Sequence, residues 1–228
     1  MEMKQPIRIL STKKLEVNQK QFLLNANISL VEADFISIEQ KKITVETVNE
    51  NLIFTSQNAV LSLIENLKET ETLELLKKKN VFCVGMKTKG LLEENGFNVI
   101  AYTGYAADLA EIITLIYGKE KFTFFSGNLR RDTLPEALSE AEVVFNEIQV
   151  YETNLTPQKV SGTFDGILFY SPSGIESYLK NNKIKSEMCF CIGTTTADAL
   201  EIITNNVVIA NQPTVENVII QCINFFSP

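Results

Sequence analysis

Asn51-Leu-Ile-Phe-Thr-Ser-Gln-Asn-Ala-Val60 recurs in outline about 110 residues later as Gly166-Ile-Leu-Phe-Tyr-Ser-Pro-Ser-Gly-Ile175. Each copy is a short apolar run, then a hydroxylated residue, then a segment with apolar residues three to four positions apart. This order predicts a buried strand that leads through an N-cap into a helix. The repeated unit therefore indicates an α/β fold with parallel strands.

A second pair of segments repeats at the same spacing. Val81-Phe-Cys-Val-Gly-Met-Lys-Thr-Lys-Gly-Leu-Leu92 matches Cys189-Phe-Cys-Ile-Gly-Thr-Thr-Thr-Ala-Asp-Ala-Leu200. Because each repeat is as long as a domain, we expect two similar domains and not a solenoid. Nine strands are predicted in all: Ile7–Leu10, Leu52–Thr55, Val81–Val84, Asn98–Tyr102, Lys121–Phe125, Val143–Val150, Gly166–Tyr170, Met188–Ile192 and Asn206–Ala210.

Two polar stretches lie between the repeats and are the best linker candidates. The first strand precedes the first linker and needs a sheet, so we assign it to the C-terminal half. The predicted domains are 50–148 and, discontinuously, 1–35 with 156–228, while 36–49 and 149–155 are linker strands. The expected fold is two similar parallel-sheet α/β domains that face each other, with the chain crossing between them twice.

Composition restricts the chemistry that this chain can perform. There are no histidines, which excludes Ser-His and Cys-His pairs and histidine-ligated metals, and the formal charge of −7 argues against nucleic acid. The four cysteines, Cys83, Cys189, Cys191 and Cys222, lie in apolar runs and are expected to be small core residues. No membrane span or signal peptide is recognised, so a cytoplasmic location is expected.

Hydroxylated residues and glycines follow five of the predicted strands. Such residues cap helices and leave backbone N–H groups open to an anion, and ligands bind outside the carboxyl ends of parallel strands. The alternative is that each residue only begins a helix. The residues at these strand ends are Thr55-Ser56, Gly85 with Thr88, Ser126-Gly127-Asn128, Ser171-Pro172-Ser173-Gly174 and Gly193-Thr194-Thr195-Thr196.

Tyr151 is the candidate acid, because a tyrosine hydroxyl donates protons and hydrogen bonds at neutral pH. The alternative is an ordinary strand tyrosine, since this residue type is common in strands. Arg130 and Arg131 are candidates to bind a carboxylate of the ligand, and Lys87 is a third candidate. For all three, a solvated charge is an equal alternative.

Six motifs in order resemble the uroporphyrinogen-III synthase family. They are Phe54-Thr55-Ser56 with Ala59-Val60, Val84-Gly85 with Thr88, Ser126-Gly127-Asn128-Leu129-Arg130 with Leu134-Pro135, Val150-Tyr151-Glu152-Thr153, Phe169 with Ser171-Pro172-Ser173-Gly174, and Ile192-Gly193 with Thr195-Thr196-Ala197. The resemblance runs from about residue 50 to the C-terminus. It implies a lyase of haem and tetrapyrrole biosynthesis whose two domains are joined by a two-stranded linker, with the active site in the interdomain cleft. No cofactor or metal is implied.

The resemblance also implies the substrate, hydroxymethylbilane, a linear tetrapyrrole with eight carboxylates, and the product, uroporphyrinogen III. Tyr151 would donate to the departing hydroxyl. Ser56, Thr88, Ser171 and Thr196 would contact the tetrapyrrole, and amides near Gly127, Asn128, Ser173 and Thr195 would receive its carboxylates. A monomer is expected, with transient contact to the upstream hydroxymethylbilane synthase. The alternative function is a non-catalytic two-lobed protein that binds a small polyanion.

Overall fold

The computed structural model of the protein describes residues 6–45 and 47–226, and regular elements alternate along them. In chain order they are β1 Arg8–Ser11, α1 Val17–Asn25, β2 Ser29–Glu32, β3 Ile36–Gln40, β4 Asn51–Phe54, α2 Gln57–Asn66, α3 Glu71–Lys77, β5 Asn80–Val84, α4 Met86–Glu94, β6 Asn98–Thr103, α5 Ala106–Ile116, β7 Lys121–Gly127, α6 Thr133–Glu140, β8 Val144–Leu155, β9 Gly166–Phe169, α7 Pro172–Asn181, β10 Met188–Cys191, α8 Thr194–Asp198, β11 Val207–Ile209 and α9 Val215–Phe226.

The chain divides into two compact units. The outer unit contains the described residues up to Ser37 and from Asn154 onward, and the inner unit contains Ile38–Thr153. Both chain crossings between the units lie inside strands, one in β3 and one in β8, and these strands are hydrogen-bonded neighbours. The outer unit is therefore built from both ends of the chain.

The inner unit is a six-stranded sheet in the order β3-β8-β7-β4-β5-β6, in which β8 through β6 are parallel. Helices cover both faces, because successive residues of a strand point in opposite directions. In β4, Leu52 and Phe54 pack with α2, α3 and α4, whereas Ile53 packs with α5 and α6. This double coverage explains why β4 is apolar along its length.

The outer unit has the same construction, with five parallel strands in the order β11-β10-β9-β1-β2. Leu10 and Phe169 pack on the face covered by α7, while Ile9 and Leu168 pack on the face covered by α1 and α9. Both units are thus α/β structures with parallel strands, which confirms the predicted fold class.

All nine predicted strands are present, β2 was missed, and β3 was expected only as part of the 36–49 linker strand. Strand β2 lies at a sheet edge and has no fully buried residue, and β3 has four exposed residues, so neither shows the buried apolar run on which the predictions relied. Strand β3 occupies only the start of the predicted 36–49 linker strand. Strand β8 is continuous to Leu155 and merges a predicted strand with the second linker strand.

The four cysteines are buried in the two units, as predicted. Burial raises the pKa of the Cys83 thiol to about 11 and those of the other three to about 12, so all four remain protonated at neutral pH. Among the described residues, no helix is long and apolar enough to cross a membrane.

Candidate functional site

In the inner unit, the predicted site residues collect at the carboxyl ends of adjacent strands. Ser56 follows β4, Thr88 follows β5, and Gly127 ends β7, while Tyr151 lies opposite Gly127 on β8. Since these four strands are neighbours in a parallel sheet, their ends meet at one edge. The sheet therefore brings together residues that are widely separated in sequence.

Two helices begin at this edge. Ser56 caps α2, with its hydroxyl accepting a hydrogen bond from the Asn58 backbone N–H at 3.1 Å. Helix α4 instead begins at Gly85, whose φ of +90° is a conformation that other residues rarely adopt. Thr88 lies buried in the first turn of α4. Both helix N-termini direct free N–H groups outward, which favours an anionic ligand.

The Tyr151 ring lies directly against Gly127. A Cβ built on Gly127 would overlap the tyrosine ring atoms, so only glycine fits there. The register of β7 and β8 shifts at this point, because Ser126 pairs with Gln149 but Gly127 pairs with Tyr151. Val150 is the extra residue of a β-bulge, a feature that re-aims side chains and is rare between parallel strands.

The Tyr151 ring and the Val150 side chain belong to the same core cluster, as expected where a bulge breaks the alternation of a strand. Tyr151 is 9% exposed. Its hydroxyl makes no hydrogen bond with any described residue and is not fully buried, so it retains some contact with solvent. Tyr151 lies within β8, which continues through the predicted linker strand 149–155.

Arg130 forms an ion pair inside the unit. Its Nε and Nη2 atoms donate to the two carboxylate oxygens of Glu147 at 2.7 and 2.9 Å, and Nη1 donates to Asp132. The sequence suggested that Arg130 either binds a ligand or is a solvated charge. In the structure it instead pairs with two carboxylates of the protein. Arg131 is exposed and makes no ion pair within 6–45 and 47–226. Lys87 is exposed in the first turn of α4.

Asn128 uses its side chain to extend the sheet. Its Nδ2 donates to the Thr153 carbonyl at 3.2 Å, and its Oδ1 accepts from the Thr153 N–H at 2.7 Å. A cavity of about 460 Å³ opens beside this turn and is lined by Gly127, Asn128, Arg130 and Gln149, among others. The polar lining suits a charged or hydrated ligand.

In the outer unit, the remaining predicted residues lie at the ends of β9 and β10. Ser171 caps α7, with its hydroxyl accepting from the Gly174 N–H at 3.0 Å, and it also lies 3.0 Å from the Ser173 hydroxyl. Thr195 and Thr196 stand in the first turn of α8, where Thr196 is buried. Strands β9 and β10 are neighbours, so these groups share one edge.

The prediction missed the end of β1, which lies beside β9 at the same edge. The Ser11 hydroxyl is 3.1 Å from the Tyr170 hydroxyl, and the Thr12 hydroxyl donates to the Leu168 carbonyl at 2.7 Å. The Lys13 ammonium lies 5.9 Å from the centre of the Tyr170 ring. The signal was present, since Ser11-Thr12-Lys13 follows an apolar run as at the other strand ends.

Each unit thus presents helix N-termini and hydroxyls at the carboxyl edge of its sheet, and the inner unit adds the Tyr151 phenol, which, unlike that of Tyr170, makes no hydrogen bond with a described residue. These groups suit a polyanionic ligand and the donation of one proton. No group of three or more Cys, Asp or Glu side chains is placed to hold a metal ion in the described part of the chain.

The chain is similar to known proteins of one family. The family model described as uroporphyrinogen-III synthase HemD matches residues 28–220. A uroporphyrinogen-III synthase of Chlorobaculum parvum is 32% identical over 169 residues, which are 66% of this chain and 68% of that protein.

Two crystal structures share the fold. The uroporphyrinogen-III synthetase of Helicobacter pylori has a TM-score of 0.74 and is 21% identical, with 96% of this chain and 99% of that chain covered. A mutant uroporphyrinogen III synthase of Thermus thermophilus has a TM-score of 0.70 and is 15% identical, with 96% and 98% covered.

Proposed function

The chain belongs to the uroporphyrinogen-III synthase family of tetrapyrrole biosynthesis, and we propose that Tyr151 protonates the hydroxyl that leaves when hydroxymethylbilane closes. The reaction is that of a cyclising lyase. Water is lost, the terminal pyrrole ring is inverted, and uroporphyrinogen III is formed. The observation that supports the proposal is a Tyr151 hydroxyl that is not fully buried, has no partner among the described residues, and lies at the edge where ligands of parallel sheets bind.

The proposed chemistry needs one proton donor. As the C–O bond of the hydroxymethyl group breaks, the phenol O–H supplies the proton that turns the leaving group into water. The lone pair of the adjacent pyrrole nitrogen stabilises the azafulvene cation that remains. Attack on this cation by the substituted carbon of the last ring gives a spiro intermediate, which fragments and recloses with that ring reversed. The ring carbon that forms the final bond then loses its proton, which restores a neutral product and the Tyr151 phenol.

Positioning is the second contribution of the protein. A flexible bilane also closes end to end without inversion, so catalysis requires that one folded geometry be held. The carboxylates of the substrate are suitable partners for the N-termini of α2, α4 and α7, where free N–H groups and the helix dipole favour negative charge. Such contacts need no net positive charge on the protein.

The test uses hydroxymethylbilane generated in place by its synthase, followed by oxidation and separation of the isomers. We expect wild type to give isomer III, in which the last ring is inverted, whereas closure without inversion gives isomer I. We expect Tyr151→Phe to lower the rate of isomer III formation by less than about 10²-fold, below the roughly 10²–10⁴-fold typical of general acid catalysis, because the pyrrole already activates the leaving group. The isomer mixture should therefore shift towards isomer I.

Tyr117→Phe is the matched control, since it removes a partly buried tyrosine hydroxyl at the C-terminal end of α5. It should leave the isomer ratio unchanged. If Tyr151→Phe and Tyr117→Phe behave alike, the donor role is wrong. If wild type gives only isomer I, the protein binds the polyanion without turning it over.

The location of the enzyme, its oligomeric state and its contact with the upstream synthase are also proposed. We infer a cytoplasmic monomer that receives its substrate through transient contact with hydroxymethylbilane synthase, because the bilane closes spontaneously if it is released into water. Light scattering should give the mass of one 25.6 kDa chain. Added excess of a catalytically inactive synthase should compete for the contact and shift the mixture towards isomer I, whereas an unchanged isomer ratio would contradict the contact.

A further inference from the structure

We propose that Glu147, held by Arg130 and Ser126, is a positioning residue that fixes the β-bulge and so directs the Tyr151 hydroxyl towards the substrate. The proposal rests on the donor role of Tyr151. We call these three residues the Glu147 clamp. Nothing in the six sequence motifs marks Glu147, which lies outside all of them.

The Glu147 carboxylate holds both ends of the turn that follows β7. Arg130 binds it through two parallel N–H···O bonds, and the Ser126 hydroxyl donates to the same oxygen as Arg130 Nε. Ser126 immediately precedes Gly127, and the Arg130 N–H closes the turn by donating to the Gly127 carbonyl at 3.2 Å. One side chain of β8 therefore determines where Gly127 lies.

The same turn is attached to β8 a second time, beyond Tyr151. Asn128 exchanges two hydrogen bonds with the backbone of Thr153. Tyr151 lies between the two attachment points, Glu147 and Thr153, and its ring lies on Gly127. The turn and the bulge are consequently attached to each other, and a shift of Gly127 would also shift the Tyr151 ring that packs on it.

The bulge is the element that needs fixing. A register shift of one residue would pair Val150 with Gly127 and turn Tyr151 to the opposite face of the sheet, because side chains alternate along a strand. The Val150 carbonyl accepts from the Lys41 N–H at 3.0 Å, which anchors the bulge on its other side. On the β7 side, the hydrogen bonds of the Glu147 clamp oppose such a shift.

The charge of the clamp is balanced within it. The Arg130 and Glu147 side chains are 25% and 28% exposed, and Asp132 also contacts Arg130. Arg130 binds Glu147 through two parallel hydrogen bonds and also contacts Asp132. Such a forked arrangement is geometrically more specific than a single lysine contact. The pair is therefore suited to set a geometry and not to attract a ligand.

The test compares Glu147→Gln with Glu93→Gln, which disrupts an exposed pair with Lys89 on α4. Both proteins are made with 3-fluorotyrosine, and the Tyr151 fluorine resonance is assigned by its loss in Tyr151→Phe. For Glu147→Gln we expect a shifted Tyr151 resonance, five unshifted tyrosine resonances and a roughly tenfold lower rate of isomer III formation, since a donor misplaced by about 1 Å loses up to 10² in rate. Glu93→Gln should match wild type.

Graded variants keep the test decisive if Glu147→Gln folds poorly. Ser126→Ala removes one hydrogen bond, and Arg130→Lys keeps the charge but loses the fork, so both should shift the same resonance by less. An unshifted Tyr151 resonance in all three variants would overturn the proposal. The fluorine signal reports on the clamp even if Tyr151→Phe proves to have normal activity, so the two proposals fail separately.

Discussion

At the scale of single residues, Gly127 leaves no room for a side chain because the Tyr151 ring occupies that space. We expect Gly127→Ala to lower the free energy of unfolding by about 1–3 kcal/mol, as in other overpacked cores. In a Tyr151→Ala background the ring is absent, and the same change should cost much less. Urea unfolding of the four proteins measures this coupling, and equal losses in both backgrounds would contradict it.

Glu147 is expected to make the stability of the protein depend on pH in the acidic range. Burial alone would raise its pKa, but the hydrogen bonds from Arg130 and Ser126 outweigh burial and lower the pKa below the usual 4.5. The contribution of Glu147 to stability is therefore complete above pH 4.5 and is lost as pH falls through the lower, folded-state pKa. The pKa of Arg130 is raised, chiefly by its hydrogen bond to Glu147, so the arginine stays charged throughout.

Chemical unfolding of wild type and Glu147→Gln at several pH values tests this expectation. Wild type should be the more stable protein at pH 7, and the two curves should converge in acid. A difference that persists unchanged below the folded-state pKa would mean that the carboxylate charge is not responsible.

At the scale of helices and strands, Ser171 has a structural role and a proposed binding role that can be separated. Ser171→Ala should cost about 1 kcal/mol of stability because the N-cap of α7 is lost. Ser171→Asp and Ser171→Asn should both keep the cap. Only aspartate places negative charge where a substrate carboxylate would bind, so its KM should rise at least about tenfold while asparagine stays near wild type.

Thermal unfolding and isomer III kinetics of the three Ser171 variants provide the measurements. If the aspartate and asparagine variants have the same KM, the α7 N-terminus only begins a helix and does not bind substrate.

Strands could be predicted from sequence where both faces are buried, and the repeated Leu-Ile-Phe and Ile-Leu-Phe runs of β4 and β9 are examples. The edge strand β2 and the exposed strand β3 depend on pairing with distant residues, which leaves little local pattern. The hydroxylated strand ends were also recognisable, because capping chemistry is local. The bulge that pairs Tyr151 with Gly127, and the partner of Arg130, arise only when β7 and β8 are paired.

At the scale of the whole molecule, each unit contains its own hydrophobic cores. The clusters around Phe54 and Phe124 lie entirely within Ile38–Thr153, and those around Phe169 and Phe190 lie entirely outside it. We therefore expect residues 38–153, expressed alone, to unfold cooperatively in urea, as domains of this size usually do.

Residues 154–228 provide the contrasting fragment. They contain β9, β10 and β11 but lack β1, which pairs with β9, and α1, which packs on α9. This fragment should show no cooperative transition until residues 1–37 are added. Cooperative unfolding of 154–228 alone would show that the discontinuous construction is not required.

The position of β1 between β2 and β9 also sets an order of events on the ribosome. Ile9 and Leu10, fully buried in the finished protein, are made first, yet β9 begins about 150 residues later. At translation rates of 5–20 residues per second, this interval lasts roughly 8–30 s. The inner unit is complete within that time, while the nascent N-terminal segment waits with an unpaired strand edge and is a natural client for a chaperone.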